Sequence, residues 1–278
     1  MPSTYAHYRF GNEVLNRLDA PASRLAETNR ALFWIGLHGP DIFFYYNVLR
    51  DTPVGQIGHT LHDQNAAKFF TRAAEIIRAA DDFPAGRAYL MGYICHFALD
   101  SCCHPYIEAV IRSQGLTHTE IEADLERQLL TDDGLSPIHY NPAAHLASDP
   151  ETAGVIARFH PTAKVRQVQT ALRHFRRYSG LLLPTCRLKE TAVRGILKIS
   201  GHEKELGGMI MRDRPHPGCV QSTCDLQKIY GDALPLAVRL IKNYQAFLDG
   251  KEALDPRFSR TFGPDETDYA RLQREVLV

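Results

Sequence analysis

Apolar residues recur at three- and four-residue spacing along nearly the whole chain, and no convincing run alternates β-branched with polar positions. The pattern predicts an all-α fold, a single multi-helix domain over residues 1–278. A first helix starts at Ser3 or Thr4 as N-cap and turns Phe10, Val14, Leu15 and Leu18 inward. A second, spanning 22–36, stops in GLHGPD, where Gly36, Gly39 and Pro40 leave Asp41 on a tight loop ahead of FFYY. A third covers 55–80 and carries His59 and His62 one turn apart, followed by Phe69, Phe70, Ile76 and Ile77. A fourth covers 85–104, with Pro105 marking its end. The sequence THTE at 117–120 fits a capping box, Thr117 as N-cap and Glu120 at N3, which puts His118 and Glu122 on one face of the helix that follows. Further helical patterns fall near 150–160, 162–183, 185–199, 223–249 and 264–277. Between them, 200–222 is the longest irregular stretch and reads as a candidate functional loop.

At 278 residues the chain can bury a core without help from disulfides or metal. Lys plus Arg and Asp plus Glu are both 32, so the formal charge is zero and nothing in it favours a nucleic-acid partner. The start, MPSTYAHYRFGNEVL, lacks a basic stretch followed by an apolar one. No apolar run reaches the roughly 20 residues of a membrane span. A cytoplasmic, soluble protein is the expectation. Its six cysteines then read as thiols, and Cys102 and Cys103 as small buried apolar residues without a ligand role.

Histidine placement says more. Of 13 histidines, seven stand in the first 118 residues: His7, His38, His59, His62, His96, His104 and His118. In HFALDSCCH, residues 96–104, His96, Asp100 and His104 are four residues apart, within about an 80° arc of a helix. Zinc takes imidazole nitrogen and carboxylate oxygen, and iron or manganese accepts the same donors. One HxxxD pair is weak evidence, since a helical histidine is most often structural. Joined to His118 and Glu122, the loop carboxylate Asp41, His7 and His62, it becomes a set able to hold more than one ion.

AYLMGYICHFALDSCCHPYIEAVIRSQGLTHTEIEADLER, with TYAHYRFGNEVL and GLHGPDI before it, resembles the core of the zinc-dependent phospholipase C family. The single-strand-specific zinc nucleases share that family's all-α architecture. The resemblance covers residues 1–130, a metal-site core, and leaves 131–278 as helical completion and tail. It implies two or three zinc ions. Asp41, His62, His96 and Asp100 hold one; Asp100 bridges to a second that also takes His7; His104, His118 and Glu122 hold a third. His59 is the alternative to His62, or a donor behind it. The implied activity is hydrolysis of a phosphodiester or phospholipid by activated water, with Asp41 as ligand and catalytic base. Phe43, Phe44, Tyr45 and Tyr46 either line the leaving group or join the core. A nuclease or nucleotidase on the same scaffold is one alternative. Another is a non-catalytic metal-binding relative that engages a partner or membrane. His216, Arg212 and Arg214 in RDRPHP are candidate phosphate contacts. Arg173, His174, Arg176 and Arg177 read as a solvated face or a weak contact to anionic lipid. The chain departs from the family in three places. The interval from Asp100 to His104 is shorter than in the secreted members, Ile42 replaces an aromatic residue, and no signal pattern exposes the N-terminal residue that completes the His7 site in those enzymes.

Overall fold

The computed structural model describes residues 4–80 and 82–264. It is all-α, with no strand among the described residues. The helices are α1 (Thr4–Leu15), α2 (Ala20–Thr28), α3 (Arg30–Gly36), α4 (Gly55–Asp63), α5 (Ala66–Arg78), α6 (Pro84–Gln114) and α7 (His118–Asp132), then α8 (Pro150–Phe159), α9 (Val165–Leu181), α10 (Arg187–Ile199), α11 (Glu203–Leu206) and α12 (Val220–Leu248). A 3-10 helix, Gly39–Tyr45, follows α3. The helix expected at 264–277 falls, from 265 onward, outside the described residues.

Helix α6 is the axis. Its middle, from Ala88 to Ser101, is buried on every side, and α3 and α12 pack most closely against it. Glycine sets the distance to α3. A Cβ on Gly36 would lie 2.1 Å from the Tyr89 carbonyl, and one on Gly92 would lie 2.1 Å from the Phe33 carbonyl. The two backbones therefore touch one turn before His96. Past α3 the chain turns at Gly39, whose φ of +44° favours glycine and where a Cβ would meet His96 Cδ2 at 2.4 Å. The contact at Gly36 and Gly92 and the turn at Gly39 bring Asp41 to His96.

Three expected boundaries differ from the observed ones, each for a local reason. The helix over 22–36 breaks at Asn29, whose side-chain amide donates to the Leu25 carbonyl at 3.0 Å while its backbone leaves the helical region. The helix over 55–80 breaks at Gln64, and Asn65 caps the next segment by accepting from Ala67 N at 2.9 Å. Pro105 does not end α6, which runs on to Gln114 and closes on Gly115 in the left-handed region. Proline has no N–H for the carbonyl four residues back, that of Ser101; Arg257 Nη2 donates to it instead, at 3.0 Å.

Helix α1 begins at Thr4, and its first N–H groups, which have no partner within the helix, are met from across the molecule: Tyr5 N donates to Glu126 Oε1 of α7 at 2.9 Å. Glu126 is fully buried. Burial pushes its carboxyl up to about 8, against the pull of the bond from Tyr5. The folded protein thus keeps a proton that the unfolded chain, with glutamate near 4.5, has lost. The contribution of Glu126 to stability falls as pH rises between those values, by up to about 1.4 kcal/mol per pH unit. Glu126→Gln keeps an acceptor for Tyr5 and removes the titration. Thermal melts of metal-free protein from about pH 5 to about pH 8 are expected to show a smaller loss of Tm in the variant than in the parent; equal slopes would acquit Glu126.

Candidate metal centre

Four elements converge on α6. From it His96, Asp100 and His104 project along one face, and around them stand His7 of α1, Asp41 of the 3-10 helix, His62 of α4, and His118 with Glu122 of α7. The capping box at the start of α7 is present, with Thr117 N donating to Glu120 Oε2 at 3.0 Å, so α7 begins in the register that turns His118 and Glu122 together. Donor atoms gather in three groups, each with all its atoms within 4.8 Å of one another: His7, His96 and Asp100; Asp41, His62 and His96; His104, His118 and Glu122.

Asp100 divides its oxygens between neighbours. Oδ2 lies 3.0 Å from His96 Nε2 and 3.7 Å from His62 Nε2, whereas Oδ1 lies 3.2 Å from His7 Nε2 and 3.7 Å from His104 Nε2. Asp41 Oδ1 sits 3.1 Å from His62 Nε2 and 3.7 Å from His96 Nε2. Glu122 Oε1 is 3.0 Å from His118 Nε2 and 3.4 Å from His104 Nε2. Most of these side chains are buried, while His118, 42% exposed, stands at the mouth.

The residues fit a metal by two independent signs. Asp41 Oδ1, His62 Nε2, His96 Nε2, Asp100 Oδ2 and Glu122 Oε2 are buried and lack hydrogen-bond partners, even with nitrogen facing oxygen at these distances. Orphaned polar atoms are costly. All five belong to residues of the three close donor groups. The second sign lies behind the rings. Nδ1 of His62 faces the Gly58 carbonyl at 2.8 Å, Nδ1 of His96 the Leu37 carbonyl at 3.2 Å, and Nδ1 of His104 the Phe262 carbonyl at 3.0 Å. Each Nδ1–H donates outward and directs Nε2 inward, the arrangement that supports a ligating imidazole.

Electrostatics agrees. Burial alone would raise the Asp100 carboxyl, but the imidazoles of His96, His104 and His7 hold it well below its usual range; burial is likewise outweighed at Glu122 by His118 and His104. Burial lowers His62 and His104, yet the carboxylates of Asp100 and Asp41 push His62 up to about 10, and those of Asp100 and Glu122 push His104 up to about 9. Without an ion the strip holds protons, which an entering cation displaces.

A cleft of about 740 Å³ opens onto the donors, walled by Phe44, Tyr46, Arg50, His59, His62 and His118 among others. Beside it lies a second, mostly apolar cleft of about 420 Å³, and the two share Tyr45, Asn47, Val48, Leu49, Arg50, Leu206 and Met209. Of FFYY, Phe43 and Tyr45 are buried, while Phe44 and Tyr46 are half-buried at the cleft wall. His59 is exposed, stacks edge-on against Phe44 at 4.6 Å and belongs to none of the three groups; behind the other ring, His62 Nδ1–H donates to the Gly58 carbonyl. His216, Arg212 and Arg214 do not line the cleft. Asp124 Oδ1 accepts from His216 N at 2.8 Å, His216 Nδ1 accepts from Gly218 N at 3.2 Å, Arg212 reaches Glu120 at 3.9 Å, and Arg214 is exposed. The six cysteines are free thiols and none joins a donor group.

Arg50 and His202 in the cleft wall, and the carbonyl of Phe262, escape a reading of the sequence. His202 does fall in the irregular segment 200–222. Nothing in a residue type announces a backbone carbonyl.

The family model for zinc-dependent phospholipase C matches residues 6–172, a span that contains all eight donors. No curated protein and no solved structure matches the chain. No described helix is long and apolar enough to cross a membrane. With well over half its length matched and the donor groups assembled, the chain belongs to the zinc-dependent phospholipase C family, a family of metal-dependent hydrolases.

Proposed function

We propose that the protein hydrolyses phosphodiesters, phospholipids foremost, with water activated at ions held in the three donor groups. The observation that carries this reading is the division of Asp100, one oxygen toward His62 and His96 and the other toward His7 and His104. A single buried carboxylate placed so would serve two ions at once. Asp41, His62 and His96 with Asp100 Oδ2 would hold one, His7 with Asp100 Oδ1 a second, and His104, His118 and Glu122 a third. Bound zinc supplies positive charge for the phosphoryl oxygens and lowers the pKa of water.

The chain supplies the rest. Asp41, buried beside these donors, orients the attacking water and takes its proton. Arg50, on the wall common to both clefts, offers a planar fork to a phosphate oxygen. The leaving alcohol departs along Phe44 and Tyr46, and the adjoining apolar cleft has room for its hydrocarbon. That cleft favours a lipid-like alcohol over a nucleoside.

Elemental analysis of the purified protein, with hydrolysis of a chromogenic phosphodiester, a phospholipid and single-stranded DNA, tests the proposal. Bound metal and turnover of lipid in preference to DNA, both lost on chelation, are expected. Faster cleavage of DNA would make the chain a nuclease, and metal without turnover would make it a non-catalytic relative. In the same assay His62→Ala should lower bound metal and turnover together, while His59→Ala should leave metal content unchanged. The reverse result would exchange their roles.

A further inference from the structure

Three of the large apolar side chains left in solvent belong to α10: Leu188 at 81% exposure, Ile196 at 61% and Ile199 at 91%. With about 100° per residue, Leu188, Ala192, Ile196 and Ile199 fall within about an 80° arc. That arc faces away from Leu197, the buried residue of the helix. Arg187 and Lys198 form a basic stripe on one side of it together with Arg194, which also pairs with Glu190 at 3.0 Å, and Lys189 borders the other. An apolar face flanked by cations describes a helix that lies in a lipid interface, its apolar side chains below the headgroups and its long basic side chains reaching back to them. The helix lies beyond the span that the family model matches.

We propose that α10 docks the protein on an anionic lipid bilayer. Charge complementarity selects that occupant over a second copy of the chain, because a symmetric pairing of this face would set the basic stripe of one protomer against like charge in the other. Position agrees. Val193 and Ile196 of α10, with Leu181 of α9, line the apolar cleft that shares a wall with the metal-centre cleft. A lipid drawn from the docked surface enters that cleft hydrocarbon first and presents its phosphate to the donors. This last step rests on the phosphodiesterase reading above; the docking does not.

The test is sedimentation of the zinc-loaded full chain with vesicles of phosphatidylcholine alone and of phosphatidylcholine and phosphatidylglycerol in equal parts. Binding to the mixed vesicles is expected to be at least about tenfold tighter and to weaken with salt. Leu188→Asp with Ile199→Asp should lower it at least about tenfold, and Arg187→Ala with Lys198→Ala should remove the preference for anionic lipid. Both pairs change exposed side chains, and circular dichroism confirms that the helices persist. Sedimentation unchanged by Leu188→Asp with Ile199→Asp overturns the proposal, as does a parent dimer that the same pair converts to monomer. Hydrolysis of the soluble chromogenic phosphodiester should be equal in parent and variant. Vesicle binding without any such hydrolysis in the parent would remove the enzymatic reading and leave the docking in place.

Discussion

Asp100→Asn is expected to strip metal from both groups that this residue faces and to lower kcat/KM by about 10³-fold, taking roughly 10 to 100-fold as the cost at each of two ions. The substitution is close to isosteric, so its effect comes from charge. Four imidazoles surround Asp100 within 3.7 Å, and the side chain is buried. An amide there offers one acceptor oxygen rather than two and no negative charge, so it cannot join two cations. The metal-free protein should suffer as well. The folded Asp100 carboxyl is held well below its unfolded value of 3.8, so its stabilising contribution is present above that value and is lost as pH falls through the folded one. At neutral pH the asparagine variant forfeits all of it. Elemental analysis, hydrolysis and thermal melts read the three consequences separately. Parental metal content in Asp100→Asn would show that the residue is not a bridge, whatever happened to the rate.

Legibility in the sequence followed the range over which each feature is determined. The face shared by His96, Asp100 and His104 depends only on helical period. That of His118 and Glu122 depends on a cap whose residues lie within the same turn. Both could be read directly. His7 and Asp41 come from other elements, and only the likeness to a family placed them beside α6. The failures are cases in which a distant or backbone partner decides. Pro105 reads as a helix end because the residue that satisfies the Ser101 carbonyl, Arg257, stands 152 positions further on. Asn29 and Asn65 look neutral within an apolar periodicity, yet their side chains bond locally and break it. In RDRPHP the His216 N–H donates to the carboxylate of Asp124, a distant partner that the segment itself does not announce.

The second half does more than complete the core. Phe262 O supports His104, Phe262 N donates to the His62 carbonyl at 3.3 Å, and Arg260 O accepts from Ala66 N at 2.9 Å. The segment after α12 thus ties α4, α5 and α6 together behind two of the donor groups. Donor register therefore depends on residues well past the family match.

Asp41→Asn is expected to separate ligation from proton transfer. The variant should lose no more than one ion per chain, while kcat falls by about 10² to 10⁴-fold, the usual contribution of a positioned general base, with KM little changed. The position itself is secure. The left-handed turn at Gly39 and the bond from His96 Nδ1 to the Leu37 carbonyl fix the 3-10 helix against α6, and neither depends on the charge of Asp41. Asparagine fits the same space and can turn its carbonyl oxygen toward His62 and His96, so that group keeps a neutral ligand. It cannot accept a proton from water. If proton transfer is what is missing, the rate should stay low at parental or near-parental metal content, and added zinc should not restore it. Loss of two or more ions, with activity falling in proportion and recovering with zinc, would mean that Asp41 holds the ions in place and that another group takes the proton.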